Sequence, residues 1–197
     1  MGKITTGFSM SLDGYVAGPQ ENFDLLFKWM NSGDTELKVP MGHGELELKV
    51  PEKSVHIFTE PQTKVGALVA GRRLYELTGG WGGRHPVDAP VVVVTHREPP
   101  EWVKADWPVT FVTDGLASAL EQAKAIAGDK SVAVASTTLV QQCLKASLLD
   151  EIHIDLVPVL LGAGVRLFNQ LDAPIELAST EVIESTGVTH LTFRVLK

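Results

Sequence analysis

The chain has 197 residues, of which 44% are hydrophobic and 21% carry a charge. These values are typical of a globular protein with a full core, and we expect one domain over residues 1–197. The formal net charge of −7 argues against nucleic acid as a partner, and no apolar run approaches the roughly twenty residues that cross a bilayer. The only cysteine, Cys143, excludes an internal disulfide, which favours a cytoplasmic protein.

The first third of the chain predicts regular segments separated by loops. In chain order these are a strand over 4–10, a turn at Asp13-Gly14, a helix that Asn22 caps and Gly33 ends, an irregular excursion or short hairpin over 31–51, and a segment over 54–64 that is compatible with helix or strand.

The rest of the chain alternates short strands and helices. Strands are predicted over 67–70, 91–95 and 109–112, helices over 71–77 and from Asp114 or Ser118 to Gly128, and a terminal hairpin over 176–183 and 188–196. The uninterrupted β-branched run at 91–95 indicates a strand that is buried on both faces.

Residues 132–168 form the central predicted unit. Val132 and Val134 indicate a strand, a segment of helical period follows, and the apolar run over 152–161 indicates a second strand. Strand, helix and strand at this spacing predict a βαβ unit with parallel strands. Together the elements predict an α/β fold whose mostly parallel twisted sheet has helices on both faces and an antiparallel hairpin at the C-terminus.

Ligands bind beyond the carboxyl ends of the strands in such sheets. Three of the predicted strand ends carry suggestive residues: Gly71-Arg72-Arg73, Thr95-His96-Arg97 and Ala135-Ser136-Thr137-Thr138. Guanidinium groups match phosphate oxygens, and the free N–H groups of a helix N-terminus hold anions. The convergence predicts a crevice for a phosphorylated dinucleotide. No G-x-G-x-x-G motif is present, and each feature alone is equally compatible with solvated arginines or an ordinary helix cap.

Several segments together resemble a known family. They are Ser11-Leu12-Asp13-Gly14-Tyr15-Val16-Ala17, Gly71-Arg72-Arg73-Leu74-Tyr75-Glu76, Leu148-Leu149-Asp150-Glu151-Ile152-His153, and Pro158-Val159-Leu160-Leu161-Gly162-Ala163-Gly164 with Leu167-Phe168. In order and spacing they resemble the C-terminal reductase domain of the riboflavin-biosynthesis deaminase/reductase and the stand-alone dihydrofolate-reductase-like proteins related to it. The resemblance implies a three-layer α/β/α dihydrofolate-reductase-like fold, NADPH as the hydride donor, and a homodimer.

The resemblance also implies an activity, the reduction of a small heterocycle or ribosylated pyrimidine similar to 5-amino-6-(5-phosphoribosylamino)uracil. The zinc-deaminase signature is absent from the sequence, so a deaminase half is not expected. Two alternatives remain open: a non-catalytic, dimeric nucleotide-binding protein, and a flavin- or pterin-binding module on the same fold.

Residue by residue, the resemblance implies a cofactor site with three parts. The 2′-phosphate side would be formed by Gly71, Arg72, Arg73, Thr95, His96 and Arg97, the pyrophosphate seat by Ala135, Ser136, Thr137, Thr138 and Leu139, and the nicotinamide side by Val16, Ala17 and Gly18. The family often has a glycine pair where this chain has Ala135-Ser136. Asp13 and Asp24 are the expected catalytic acids, and either needs a pKa raised by an apolar pocket to deliver a proton.

Overall fold

A computed structural model of the chain describes residues 2–169 and 171–197. The strands are β1 Ile4–Ser11, β2 Tyr15–Ala17, β3 Thr35–Met41, β4 Gly44–Val50, β5 Val65–Gly71, β6 Val91–Val94, β7 Val109–Val112, β8 Ser131–Ala135, β9 Glu151–Val157, β10 Val165–Arg166, β11 Leu177–Ser185 and β12 Val188–Val195. The α-helices are α1 Asp24–Phe27, α2 His56–Lys64, α3 Arg72–Leu77, α4 Leu116–Ala127 and α5 Thr137–Lys145.

Eight of the strands form one sheet in the order β11-β12-β9-β1-β8-β5-β6-β7. The six from β9 to β7 in that order are parallel, and β12 pairs antiparallel with both β9 and β11. The predicted βαβ unit is present as β8, α5 and β9, but β1 lies between its two strands. The predicted mostly parallel sheet with an antiparallel C-terminal hairpin is therefore confirmed.

Helices cover both faces of the sheet because successive residues of each buried strand point to opposite sides. Val69 and Val92 pack with α4 and α5 on one face. Leu68 and Val93 pack with Tyr75 of α3 on the other face. This second face is covered only over part of its width, which leaves the region around β1 and β9 open.

The segment between β2 and β5 differs in detail from the sequence prediction. The helix that begins after Asn22 is short: α1 ends at Phe27 and continues as a 3-10 turn over Lys28–Asn31. Its apolar residues Leu26 and Trp29 are nevertheless buried. The excursion over 31–51 is the β3–β4 hairpin, and the ambiguous segment over 54–64 contains the helix α2.

The helix α4 begins at neither of its two predicted caps, since Gly115 occupies the cap position and the first helical residue is Leu116. Gly115 has a φ of 89°. Glycine adopts such a left-handed φ readily, whereas residues with a Cβ rarely do, so the cap falls on Gly115 and not on Asp114 or Ser118.

Candidate functional site

A cleft of about 980 Å³ runs across the open face of the sheet. The central strands β1, β8 and β9 form its floor, and residues of α1, α2 and α3 line its walls. Its aromatic and aliphatic wall residues include Phe23, Phe27, Met30, Ile57, Phe58, Leu74 and Leu77. Apolar walls with a few polar groups at defined positions are typical of small-molecule sites.

The floor of the cleft has a gap in its side chains at Gly7. This residue lies in the interior of β1, with β8 and β9 on either side, and yet it is exposed. Its neighbour across β9 is His153, whose Cβ is 3.7 Å from the position that a Cβ on Gly7 would take. Glycine inside a central strand marks a place where a ligand approaches the backbone closely. A planar molecule therefore has room to lie directly on the sheet at Gly7.

One end of the cleft is formed by the junction of β8 and α5. Ala135, Ser136, Thr137 and Thr138 line it, and no side chain caps the N-terminus of α5. Gly71, at the end of the neighbouring strand β5, approaches this junction so closely that a Cβ on it would lie 2.9 Å from Ser136 Oγ. Uncapped N–H groups at a helix N-terminus bind anions. The geometry brings two of the three predicted strand ends together around such a position.

Ion pairs join the residues that follow β6 to the residues that follow β5. Arg72 Nε donates to Glu76 at 2.8 Å, and Arg97 donates to the other oxygen of Glu76 at 3.2 Å. The pKa of Glu76 is lowered, chiefly by the hydrogen bond from Arg72. The two predicted phosphate-binding arginines thus meet at one carboxylate.

Arg72 and Arg97 differ in how freely they face solvent. The Arg72 side chain is only 12% exposed, and its Nη1 donates to the carbonyl oxygen of Glu98 at 2.8 Å. The Arg97 side chain is 66% exposed. Thr95, which is buried, accepts a hydrogen bond from the Arg97 backbone N–H at 3.1 Å and so holds the turn after β6. Arg72 braces this turn, whereas the guanidinium of Arg97 is open to an incoming anion.

The other predicted residues of the phosphate side are open to solvent or lie behind the cleft. The Arg73 side chain is 83% exposed, lines the cleft and pairs with Glu21 at 2.5 Å. His96 is exposed beyond the end of β6. Leu139 is buried within α5 and packs into the core, so its side chain faces away from a ligand.

Val16 and Ala17 line the cleft from strand β2, and Gly18 follows them outside it. Their position is fixed by β10, because Val165 pairs with Ala17. Gly164 lies so close that a Cβ on it would be 2.0 Å from the carbonyl oxygen of Ala17. The Gly162-Ala163-Gly164 turn therefore supports the wall of the cleft from behind.

Asp13 is held in an environment opposite to the one predicted for a proton donor. Its carboxylate accepts hydrogen bonds from Ser11 Oγ at 2.6 Å and from the backbone N–H groups of Leu161 at 3.1 Å and Gly162 at 2.7 Å. These donors, the Ser11 hydroxyl first, lower the pKa of Asp13 to about 2. The expected raised pKa is therefore wrong for Asp13, which is an anion near neutral pH and ties the loop after β1 to the loop after β9.

Asp24 lies outside the cleft. It is exposed at the start of α1, and its backbone N–H donates to Asn22 Oδ1 at 2.9 Å. It faces a shallow depression formed with Pro19, Asn22 and Leu160. Neither predicted acid is therefore enclosed by an apolar pocket. The Asp13 carboxylate is surrounded by hydrogen-bond donors, and Asp24 is exposed to solvent.

The opposite end of the cleft carries polar groups that we did not predict as site residues. Asp155, His153, His190 and His56 line it. His190 Nδ1 lies 2.7 Å from Asp155 Oδ1. The sequence signal was the alternation of His153 and Asp155 with apolar residues along β9, which places both on one face of the sheet. Nothing in the local sequence indicated that this face is the open one.

His85 is a further cleft residue that the sequence did not single out. Its Nδ1 accepts the backbone N–H of Val87 at 3.1 Å, and its ring packs edge-on against Trp81 with centroids 4.5 Å apart. Burial lowers the pKa of His85 to about 4. It is therefore a neutral imidazole at physiological pH, and the bond to Nδ1 fixes the proton on Nε2.

The family of the chain follows from its sequence. Residues 2–189 match the family model described as the RibD C-terminal domain. The chain belongs to this family. A relative at 23% identity, over 86% of this chain and 84% of its own length, is the uncharacterized protein YwjB of Bacillus subtilis.

Solved structures of this family share the fold of the chain. A putative riboflavin biosynthesis protein from Shewanella has a TM-score of 0.75 at 23% identity, with 99% of each chain covered. A deaminase/5-amino-6-(5-phosphoribosylamino)uracil reductase from Thermotoga maritima has a TM-score of 0.62 at 12% identity. The match covers 99% of this chain but 57% of that protein. The dihydrofolate-reductase-like fold and the resemblance to the RibD C-terminal domain are thus confirmed.

Across residues 2–169 and 171–197, no helix is long and apolar enough to cross a bilayer. In the same described part of the chain, no three His, Cys, Asp or Glu side chains are grouped so that they would hold a metal ion.

Proposed function

We propose that this RibD C-terminal family member is an NADPH-dependent reductase of a small heterocyclic or ribosylated pyrimidine substrate. The observation that carries the proposal is the continuity of the cleft. An uncapped helix N-terminus lies at one end of it, and an exposed glycine in the floor of the sheet lies further along it. This arrangement suits a nucleotide cofactor and a planar substrate that lie end to end. Two structural neighbours, the Thermotoga maritima protein and the Saccharomyces riboflavin biosynthesis reductase Rib7, are reductases, which supports this class of reaction.

The residues at the strand ends fit the phosphate groups of NADPH. The Ser136, Thr137 and Thr138 segment combines hydroxyl groups with uncapped backbone N–H groups, which suits a pyrophosphate. The exposed guanidinium of Arg97, next to His96, suits the 2′-phosphate. We assign Arg72 a bracing role, because its guanidinium is largely enclosed and donates to the Glu98 carbonyl.

The bound cofactor would supply a hydride, and the protein would supply geometry. Val16 and Ala17, supported by Gly164, would form the wall against which the reacting rings are held. The apolar side chains of Phe23, Phe27 and Leu74 would exclude water from the reacting carbon. Asp13 would act by fixing the loops on either side of this wall, since its lowered pKa prevents it from holding a proton near neutral pH.

A second candidate function is a nucleotide-binding protein without catalytic activity, which we propose as a homodimer on the basis of the family alone. Two observations favour it. Ala135 and Ser136 occupy the position at which the family often has a glycine pair, so a pyrophosphate has less room. Neither predicted acid lies in the apolar pocket that was expected of a proton donor, because hydrogen bonds lower the pKa of Asp13 and Asp24 is exposed outside the cleft. Sedimentation would test the assembly, and a monomer would contradict it.

A fluorescence titration with NADPH and NADH distinguishes the candidates. We expect the wild type to bind NADPH more tightly, and Arg97→Ala to weaken NADPH binding by ~1–3 kcal/mol with little change for NADH. Arg84→Ala is a matched control, because this exposed arginine also pairs with a carboxylate, that of Asp88, but lies beside the β3–β4 turn and not at a strand end of the parallel sheet. Arg72→Ala should weaken binding as well, together with a lower melting temperature, because it releases the turn that carries Arg97.

The results separate the proposals. NADPH binding followed by its oxidation with an aminopyrimidine substrate supports the reductase. Selective binding without oxidation of a panel of such substrates supports the non-catalytic protein. Equal affinities of the wild type and Arg97→Ala would show that the 2′-phosphate lies elsewhere, and failure to bind either nucleotide would overturn both candidates.

A further inference from the structure

The polar end of the cleft is organised around Asp155. In the register of the sheet, Asp155 lies between Ser9 of β1 and His190 of β12, and all three side chains share the cleft face. The Asp155 side chain is only 16% exposed, and His190 is 4% exposed. A carboxylate in so enclosed a position needs hydrogen-bond donors to offset its lost hydration.

Only one of the two Asp155 oxygens has such a donor. Oδ1 is 2.7 Å from His190 Nδ1, whereas Oδ2 has no hydrogen-bond partner within residues 2–169 and 171–197. Because Oδ2 has no partner but is not a fully buried atom, it is accessible from the cleft. A second polar atom at this end, His56 Nε2, is buried without a partner, and its ring lies 5.6 Å from that of His190. The accessible Oδ2 of Asp155 therefore remains free to accept a hydrogen bond at this end of the cleft.

We propose that Asp155 is the substrate-recognition residue of the cleft. Its carboxylate accepts hydrogen bonds from two adjacent N–H groups on the edge of a planar heterocycle that lies over Gly7. The inference rests on the proposed function, because it takes this part of the cleft as the substrate site. It assigns the specificity of that site to a residue that neither the sequence motifs nor the predicted acids indicated.

The chemistry of the ligand follows from the chemistry of the site. An ionised carboxylate accepts hydrogen bonds and donates none, and it binds two parallel N–H donors most strongly. A ring N–H beside an exocyclic amino group offers such a pair. The exposed backbone at Gly7 accommodates a flat ring, and the aromatic side chains of the walls pack on it.

His190 is a positioning residue for Asp155. Its Nδ1 bonds to Asp155, and its Nε2 is 2.8 Å from Ser54 Oγ, which is in turn 2.8 Å from Ser185 Oγ. This chain of hydrogen bonds anchors the imidazole to the segment before α2 and to the β11–β12 turn. The order serine, histidine and aspartate resembles a hydrolase triad, but Ser54 is fully buried and does not line the cleft, so no substrate reaches its hydroxyl.

Calorimetric titration with two matched probes tests the assignment without any cofactor. The first probe, 6-aminouracil, has a ring N–H beside its amino group, and the second, 6-amino-1-methyluracil, carries a methyl group in place of that N–H and is otherwise identical. We expect the wild type to prefer the first probe. Asp155→Asn preserves the volume and an acceptor for His190, but it turns an amide N–H₂ towards the cleft. It should reduce the preference roughly 10- to 100-fold, as expected when charge-assisted hydrogen bonds are lost.

Three further variants make the experiment specific. Asp114→Asn, which removes an exposed carboxylate outside the cleft, should bind both probes as the wild type does. His190→Asn retains a donor towards Asp155 and should keep most of the preference, whereas His190→Leu should lose it. A purely structural role of His190 would lower the melting temperature without changing the ratio of the two affinities.

The assignment is overturned if the wild type binds both probes equally, binds neither, or keeps its preference in Asp155→Asn. Its failure is distinguishable from failure of the reductase proposal. Asp155-dependent binding of 6-aminouracil in a protein that does not bind NADPH leaves the assignment standing. If Asp155→Asn still oxidises NADPH and still discriminates between the two probes as the wild type does, the assignment of Asp155 is overturned and the reductase proposal stands.

Discussion

Replacing Gly164 by alanine is expected to destabilise the protein and to damage the wall of the cleft at the same time. Gly164 has a φ of 132°, a conformation that residues with a Cβ rarely adopt. The new Cβ would also lie 2.0 Å from the carbonyl oxygen of Ala17 and 2.9 Å from the carbonyl carbons of Ala17 and Gly18. The backbone of β2 must therefore move, or the turn before β10 must open.

The size of the effect follows from two contributions. Forcing a residue with a side chain into a glycine-only conformation costs about 1–3 kcal/mol. Overpacking against a backbone that cannot easily shift adds about 1–3 kcal/mol. The sum of about 2–6 kcal/mol lowers the melting temperature of a chain of this size by roughly 4–24 °C.

Gly162→Ala is the matched control in the same turn. Gly162 has a φ of 72°, but a Cβ on it would meet no atom within 4 Å. Its replacement should therefore cost only the backbone contribution of about 1–2 kcal/mol. Thermal unfolding of the two variants measures the difference, and NADPH titration shows whether the displaced Ala17 also weakens the cofactor site. Equal melting temperatures of the two variants would refute the reasoning from the contact with Ala17.

Two further predictions concern single titratable groups. The stabilisation that Asp13 provides is fully present above its ordinary pKa of 3.8 and is lost as the pH falls to about 2, because its folded-state pKa is lowered. Asp13→Asn should therefore melt at a lower temperature than the wild type near neutral pH, and it should lose less stability than the wild type between pH 3.8 and pH 2. Parallel pH profiles of the two melting temperatures would contradict this. Burial raises the pKa of the Cys143 thiol to about 11, so it should react with a thiol reagent only after unfolding, and rapid reaction of the native protein would contradict its burial.

Much of the fold was predictable because it depends on local patterns. The β-branched run at Val91–Val94 indicates a strand that is buried on both sides, and alternation in the C-terminal hairpin indicates a sheet edge. Where local patterns were weak, prediction was less accurate. The α2 segment has no buried residue and contains Pro61, so neither a helical nor a strand pattern dominates its sequence.

The site was predictable only in part. The convergence of strand ends follows from topology, and the structure brings Gly71 against Ser136 and Arg72 against the residues that carry Arg97. The partners of each side chain do not follow from topology. Arg72 bonds to the Glu98 carbonyl, and Asp13 bonds to N–H groups nearly 150 residues away.

The sequence by itself determined the family and the mostly parallel sheet with its C-terminal hairpin, because periodicity and motifs are local properties of the chain. Only the tertiary structure decided which face of the sheet is open and which carboxylate faces the cleft. Both oxygens of Asp13, in a motif, accept hydrogen bonds from backbone N–H groups of a distant loop, whereas Asp155, in an ordinary strand, keeps one oxygen unbonded. The reason is that the environment of a charge is set by whatever packs around it, and those neighbours come from remote parts of the sequence.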